Sequence, residues 1–172
     1  MGHRWIQRGA ILLCLIGLWG RPAAAGAAGW TVDELAHRHA TPAALVRFLH
    51  EAITFARDAD LFDQADYWQS PEELLRRQAG DCEDYALLAQ AILQRQGLEA
   101  VVLSLYGPTG YAHTVCVFAE RGRYHVINQD TLLILQAPSL EAAATALLPG
   151  WTWGGVAQRA GTRGRLMQMI KR

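Results

Sequence analysis

Residues 80–88 read GDCEDYALL, setting Cys82 between Asp81 on one side and Glu83 and Asp84 on the other. A deprotonated cysteine is a strong nucleophile and a metal ligand. An apolar helical pattern begins at Cys82, and a helix N-terminus favours a thiolate through its macrodipole and its unpaired backbone N–H groups. Three carboxylates oppose that charge. The opposition eases if they serve the backbone: Asp81 is placed to cap the helix, and Asp84 falls where a capping-box acid reaches back. Two other readings stay open on these residues. Cys82 is a buried structural thiol, or it joins Cys116 and His113 in a zinc site, although the C-x-x-C spacing usual for zinc is missing.

A nucleophilic thiol needs a base. The candidates are His113 in AHTVCVF and His125 in RYHVINQ. The ERGR turn between these two β-rich runs predicts a hairpin. Alternate side chains of a strand share a face, so Asn128 and Asp130 share one face of the second strand and His125 takes the other. His113 shares its face with Val115 and Val117, while Thr114 and Cys116 point away. His113 therefore meets Asn128 or Asp130 across the pair, and His125 is structural. The same parity separates Cys116 from His113, which disfavours a Cys82–Cys116 disulfide and weakens the zinc reading. His37, His39 and His50 fall in helices as surface or packing residues. A thiol on a helix N-terminus, a histidine on one strand and an amide or carboxylate on the next make up the Cys–His–Asn/Asp logic of thiol acyl transfer.

The elements that must position these groups are legible in turn. TVDELAHR opens with a capping box, Thr31 to Glu34. TPAALVRFLHEAITFARD has Thr41 as N-cap, Pro42 at the first helical position, and Leu45, Phe48, Leu49, Ala52, Ile53 and Phe55 at helical spacing. DADLFDQADYWQ reads as a solvated polar loop, since its acids lack the glycine an EF-hand requires. SPEELLRR is a capped helix from Ser70 that Gly80 ends. The Cys82 helix runs to about Gln96, with Gly97 past its end. EAVVLSLY, AHTVCVFAE, RYHVINQ and TLLILQ then follow as strands of an antiparallel meander, and SLEAAATALL is a last helix. Helices first and an antiparallel sheet second is an α+β chain.

Lys and Arg total 16 and Asp and Glu total 16. That neutrality excludes nucleic acid as a main partner, because phosphate binding needs a basic surface. The N-terminus reads as an export signal over residues 1–28. It has a positive start, an apolar run (GAILLCLIGLW) shorter than the roughly 20 residues of a membrane span, and small residues that predict cleavage after Ala25 or Ala28. An uncleaved anchor is the alternative, and Leu13 ahead of Cys14 argues against lipidation. Residues 29–150 form one domain, monomeric, and residues 151–172 read as a basic, solubilising tail.

DYWQSPEELLRRQAGDCEDYALLAQAILQRQGL, with AHTVCVF and YHVINQ after it, resembles the bacterial transglutaminase-like cysteine proteinases of the transglutaminase-like, papain-like superfamily. The likeness spans about Asp66 to Asp130. It implies a papain-like fold with the cysteine helix packed on an antiparallel sheet, Cys82 as nucleophile, His113 as base and Asn128 as the orienting residue. Asn128 stands where the family usually has aspartate, and Asp130 competes for the role. The likeness also implies an exported, periplasmic peptidase or amidase acting on a protein or peptide, a surface adhesin in some relatives, under a membrane regulator. It needs no cofactor for the chemistry, but calcium is implied at Asp81, Glu83 and Asp84, where oxygen ligands would suit it. Trp68 is implied as a residue lining the site, against a plain reading as core. Transglutaminase, deamidase and silent peptide-binding module remain the rival functions.

Overall fold

The computed structural model describes residues 29–171. The expected export segment, residues 1–28, and Arg172 lie outside the described residues. In chain order the elements are α1 (Val32–Arg38), α2 (Pro42–Ala52), β1 (Thr54–Phe55), α3 (Asp58–Phe62), α4 (Pro71–Arg77), β2 (Ala79–Gly80), α5 (Cys82–Arg95), β3 (Glu99–Tyr106), β4 (Ala112–Glu120), β5 (Arg123–Asn128), β6 (Thr131–Ala137), α6 (Leu140–Leu147), β7 (Trp153–Ala160) and β8 (Arg163–Lys171). The chain is α+β, as its pattern predicts. No helix among the described residues is long and apolar enough to cross a membrane.

Local chemistry explains the helix starts. The Ser70 hydroxyl accepts from Glu73 N–H at 3.2 Å, and the Glu73 carboxylate accepts from Ser70 N–H at 2.6 Å. Thr31 and Glu34 form the same reciprocal pair. Two ends differ from expectation. α2 stops at Ala52 rather than running to Asp58, because the Tyr85 hydroxyl takes the Ile53 carbonyl at 2.9 Å and Thr54 N–H donates to the Gln78 carbonyl at 2.8 Å. The chain leaves the helix to pair β1 with β2, and Phe55 is 54% exposed instead of lying on a helix face. α4 ends on Gln78, in the left-handed region at φ 57°, and not on Gly80. Gly80 is needed for a different reason: a Cβ there would sit 2.7 Å from Gln69 Nε2 and 2.8 Å from Leu74.

The main sheet has the order β6-β5-β4-β3-β7-β8 and is antiparallel throughout. One face carries Val102, Cys116, Phe118 and Ile127 against Tyr85, Leu88, Ala89 and Ile92 of α5, with α1, α2 and α4 outside. The other carries Leu103, Leu105, Val115, Val117 and Val126 against α6 and Trp151. Burying a leucine or phenylalanine in such a core contributes about 1.5–3 kcal/mol each.

The segment 151–172, expected as a solubilising tail, is instead structural. β7 pairs with β3 and β8 with β7, extending the sheet past the four-strand meander. Trp151 is fully buried, and Ile170 is 4% exposed. The hairpin also grips the lead-in to α5. Trp68 N–H donates to the Thr162 carbonyl at 3.0 Å, Arg159 Nε to the Trp68 carbonyl at 2.6 Å, and Arg159 ion-pairs with Glu73 at 3.0 Å. Gly164 lies directly under the Trp68 ring, where any Cβ would collide with it. Gly164→Val is therefore expected to destabilise the fold by about 1–3 kcal/mol through overpacking, read as a lower midpoint in thermal melts. An unchanged midpoint would mean that Trp68 is free to move aside.

Candidate active site

Cys82 opens α5, and the acids around it divide between two tasks. Asp84 serves the backbone: it accepts from Gln69 N–H at 2.8 Å, from Gln69 Nε2 at 2.6 Å and from Asp81 N–H at 3.2 Å. It thereby ties the lead-in segment to the first turn of α5. Asp81 and Glu83 turn instead toward two acids of the segment expected to be a solvated loop. Ligand atoms of Asp58, Asp66 and Glu83 lie within 4.8 Å of one another, as do those of Asp58, Asp81 and Asp84. Asp58 is only 2% exposed, and its side chain accepts from Tyr67 N–H. That reading of the loop is corrected: α3 folds Asp58 inward because the Tyr67 amide needs an acceptor there.

The electrostatics follow from burial without counter-charge. Asp81 is pushed up to about 8, by burial first and then by its hydrogen bond to Glu83 and that carboxylate's charge. Asp84 is pushed up to about 7 by burial, against the opposing hydrogen bonds from Gln69. Burial also raises Asp58 and Glu83. Asp58 Oδ1 and Asp81 Oδ1 are buried with no hydrogen-bond partner. A set of carboxylate oxygens with unmet acceptors fits a hard divalent cation such as calcium. Asp58 with Asp81 and Asp84, or Asp58 with Asp66 and Glu83, would hold it, so the expected Asp81, Glu83 and Asp84 are divided between two groups that share Asp58. The Cys82 thiol is raised well above its ordinary value by burial, and next by the Glu83 charge. Its proton is directed at Glu83 Oε2, 3.0 Å away.

Strand β4 brings Thr114, the residue after His113, toward the thiol. The β4–β5 ladder stops at Cys116–Ile127, so the β4 backbone at Thr114 has no partner from β5. Its N–H faces the Cys82 sulfur and partly offsets the rise of the thiol. The thiol thus abuts the residue next to His113, beyond the last ladder pair of β5. His113 Nε2 and Asn128 Oδ1 are 2.7 Å apart. An amide oxygen only accepts, so Nε2 carries the proton and Nδ1 keeps the lone pair. In this conformation the thiol and the ring each hold another partner, and no hydrogen bond joins Cys82 to His113.

Asp130 is not beside His113. It sits in the tight turn after Asn128, with Gln129 at φ 53°, and pairs with His50 Nδ1 at 2.7 Å on the surface. His125 is buried at 3% exposure against Phe118, a structural residue as expected. Cys116 is buried against α5, and both cysteines are free. Trp68 is 6% exposed, its indole N–H taken by Asp66 at 3.0 Å, and its ring also lines a small cavity on the α5 side of the sheet.

The transglutaminase-like domain family matches residues 32–139, most of the described chain. The chain belongs to that family. A UPF0252 protein of Archaeoglobus fulgidus is 24% identical over 80 residues, covering 46% of this chain and 26% of its own length. The chain thus spans about a quarter of that relative. Among solved structures, Legionella pneumophila LapG in its calcium-bound form is 18% identical, with TM-score 0.46, over 80% of this chain and 75% of that one. The EGTA-treated form is 17% identical, with TM-score 0.45, over 74% and 65%.

In this transglutaminase-like domain, sequence reasoning missed Asp58, Asp66 and the His50–Asp130 pair. A local signal existed for Asp58 alone. An acid at the first position of a helix is favoured by the dipole, but the polar run DADLFDQADYWQ reads as a loop.

Proposed function

We propose that this chain is an exported thiol-dependent acyl-transfer enzyme, a cysteine peptidase or amidase acting on a protein or peptide. The observation that carries the reading is the His113–Asn128 contact at 2.7 Å, on the residue before Thr114, whose backbone faces a thiol lodged at a helix N-terminus. Asn128 fixes the tautomer, so His113 Nδ1 is the atom that accepts the thiol proton. The sulfur then attacks a carbonyl carbon, the C–N bond of the tetrahedral intermediate breaks, and His113 returns the proton to the leaving amine. Water or another amine resolves the thioester, and mass shifts on a model glutamine peptide separate hydrolysis, deamidation and transamidation.

Calcium held by Asp58 with Asp81 and Asp84, or with Asp66 and Glu83, would supply positive charge near Cys82, favouring the thiolate that the bare carboxylates oppose. The residues themselves orient the first turn of α5 and, in the acid-rich state, hold the thiol proton at Glu83.

One observation favours a silent peptide-binding module: the thiol is bonded to Glu83 and raised by burial. A single experiment addresses both readings and the export. The protein recovered from the periplasm is treated with iodoacetamide at neutral pH, with and without calcium, and its intact mass is measured. The expected product starts after Ala25 or Ala28 and carries one label at Cys82. A mass that retains residues 1–19 defeats export with cleavage. A Cys82 that stays unlabelled in both conditions defeats the enzyme reading.

A further inference from the structure

On the face of the sheet that carries α5 lies a small cavity of about 80 Å³, lined by Asp66, Trp68, Ser104, Tyr106 and Arg165 among others. It is linked toward Cys82 through the strands: Ser104 Oγ is 2.9 Å from Thr114 Oγ1, and the Thr114 N–H faces the sulfur. Tyr106 stands two residues after Ser104 on β3, so both side chains leave the sheet on the same face, the one that carries α5. The Tyr106 hydroxyl is raised by burial first and then by the charges of Asp66 and Glu83, and Glu83 is the group bonded to the thiol. No hydrogen bond engages that hydroxyl among the described residues, although the Tyr106 backbone carbonyl accepts from Thr152.

The ring is held. Tyr106 pairs with Trp153 on β7, and the two rings stack with centroids 3.7 Å apart and planes 5° from parallel. Gly154 and Gly155 follow Trp153, and β7 comes so close there that a Cβ on Gly154 would lie 2.6 Å from the Ser104 carbonyl. A stacked aromatic pair of this kind restricts a phenol to one direction. Meanwhile the other donor the site offers, the Trp68 indole N–H, is spent on Asp66.

We propose that the Tyr106 hydroxyl, positioned by Trp153, is a catalytic hydrogen-bond donor to the carbonyl oxygen of the group that Cys82 attacks. The proposal rests on the thiol acyl-transfer reading above. As the S–C bond forms, the carbonyl π pair moves onto oxygen. Tyr106 O–H donates to that oxyanion and keeps its own proton. On collapse the pair returns, the bond to the leaving group breaks, and the leaving group takes the proton that His113 held. A neutral donor suits a site whose neighbours are carboxylates, and Arg165 at the cavity wall is the one cation among its lining residues.

The test compares two reactions of the same thiol. Acylation by p-nitrophenyl acetate passes through an oxyanion, whereas alkylation by iodoacetamide does not. Tyr106→Phe is expected to slow acylation about 100-fold, the scale of losing one oxyanion donor, and to leave alkylation within about 2-fold of wild type. Trp153→Ala should slow acylation as well, and Trp153→Phe should restore it. Equal acylation in wild type and Tyr106→Phe overturns the proposal. So does a parallel fall in both reactions, which would place Tyr106 in thiol activation or in the fold. A wild-type thiol that alkylates but does not acylate overturns the acyl-transfer reading itself.

Discussion

Cys82→Ala is expected to abolish turnover, by about 10⁴-fold or more, with the fold intact, since removal of a nucleophile leaves only binding and electrostatic assistance. His113→Ala should cost a comparable amount, because Nδ1 then no longer takes the thiol proton. The instructive members of the series lie behind them. Asn128→Ala is expected to cost about 10- to 1000-fold, the scale of disabling a base, because the 2.7 Å contact that fixes the ring is lost. Asn128→Asp should keep activity, as a carboxylate accepts the same Nε2–H. Asp130→Ala should stay within about 3-fold of wild type. Its partner is His50, and an exposed pair of this kind is worth about 0–1 kcal/mol. Steady-state rates on an acyl ester, with thermal melts to confirm folding, decide the order. If Asp130→Ala is the more damaging change at equal stability, the third residue has been assigned wrongly. Cys116→Ala is the control: a buried thiol on the α5 face, it should leave most activity.

The parts of this site that could be read in the sequence are those fixed by near neighbours. The ERGR turn sets β4 against β5 as a two-residue hairpin, with Arg121 and Gly122 at φ 52° and 73° and Glu120 opposite Arg123. That register alone puts Asn128 on the face of His113. The Cys82 helix announces itself through its own acids. What could not be read depends on contacts distant in sequence. Asp58 turns inward because the Tyr67 amide, nine residues on, requires it. The β7–β8 hairpin hid for a different reason. Glycine is a poor strand former, yet Gly154, Gly155 and Gly164 all lie in these strands, where the Ser104, Gln168 and Trp68 contacts exclude a Cβ. Close packing against neighbouring strands and the Trp68 ring therefore has the composition of a loop.

With cations chelated, the thermal midpoint is expected to fall as pH rises from 6.5 to 8.5. Asp81 and Asp84 have folded values of about 8 and about 7, far above the ordinary carboxylate. In this window the unfolded chain has both ionised, while the folded chain still binds protons. Stability therefore declines with pH, being fully present below the unfolded value near 4 and lost as pH climbs through 7 and 8. Glu83 and Asp58, also raised by burial, act in the same direction. The carboxylates lowered by surface hydrogen bonds, Glu34, Asp60 and Glu73, lose their contribution only in strong acid, outside the window. His39, lowered by burial, opposes the trend only below about 6.5. A fall of at least about 5 °C is expected, since each kcal/mol moves the midpoint of a domain this size by about 2–8 °C. Calcium should remove most of the slope and raise the midpoint far more at pH 8.5 than at pH 6.5, because only the ionised cluster offers it a full set of charged oxygens. Asp81→Asn should flatten the chelated profile and weaken the calcium effect together. A midpoint that rises with pH in chelator would show the cluster to be compensated from within the protein. A calcium shift equal at both pH values would place the ion elsewhere.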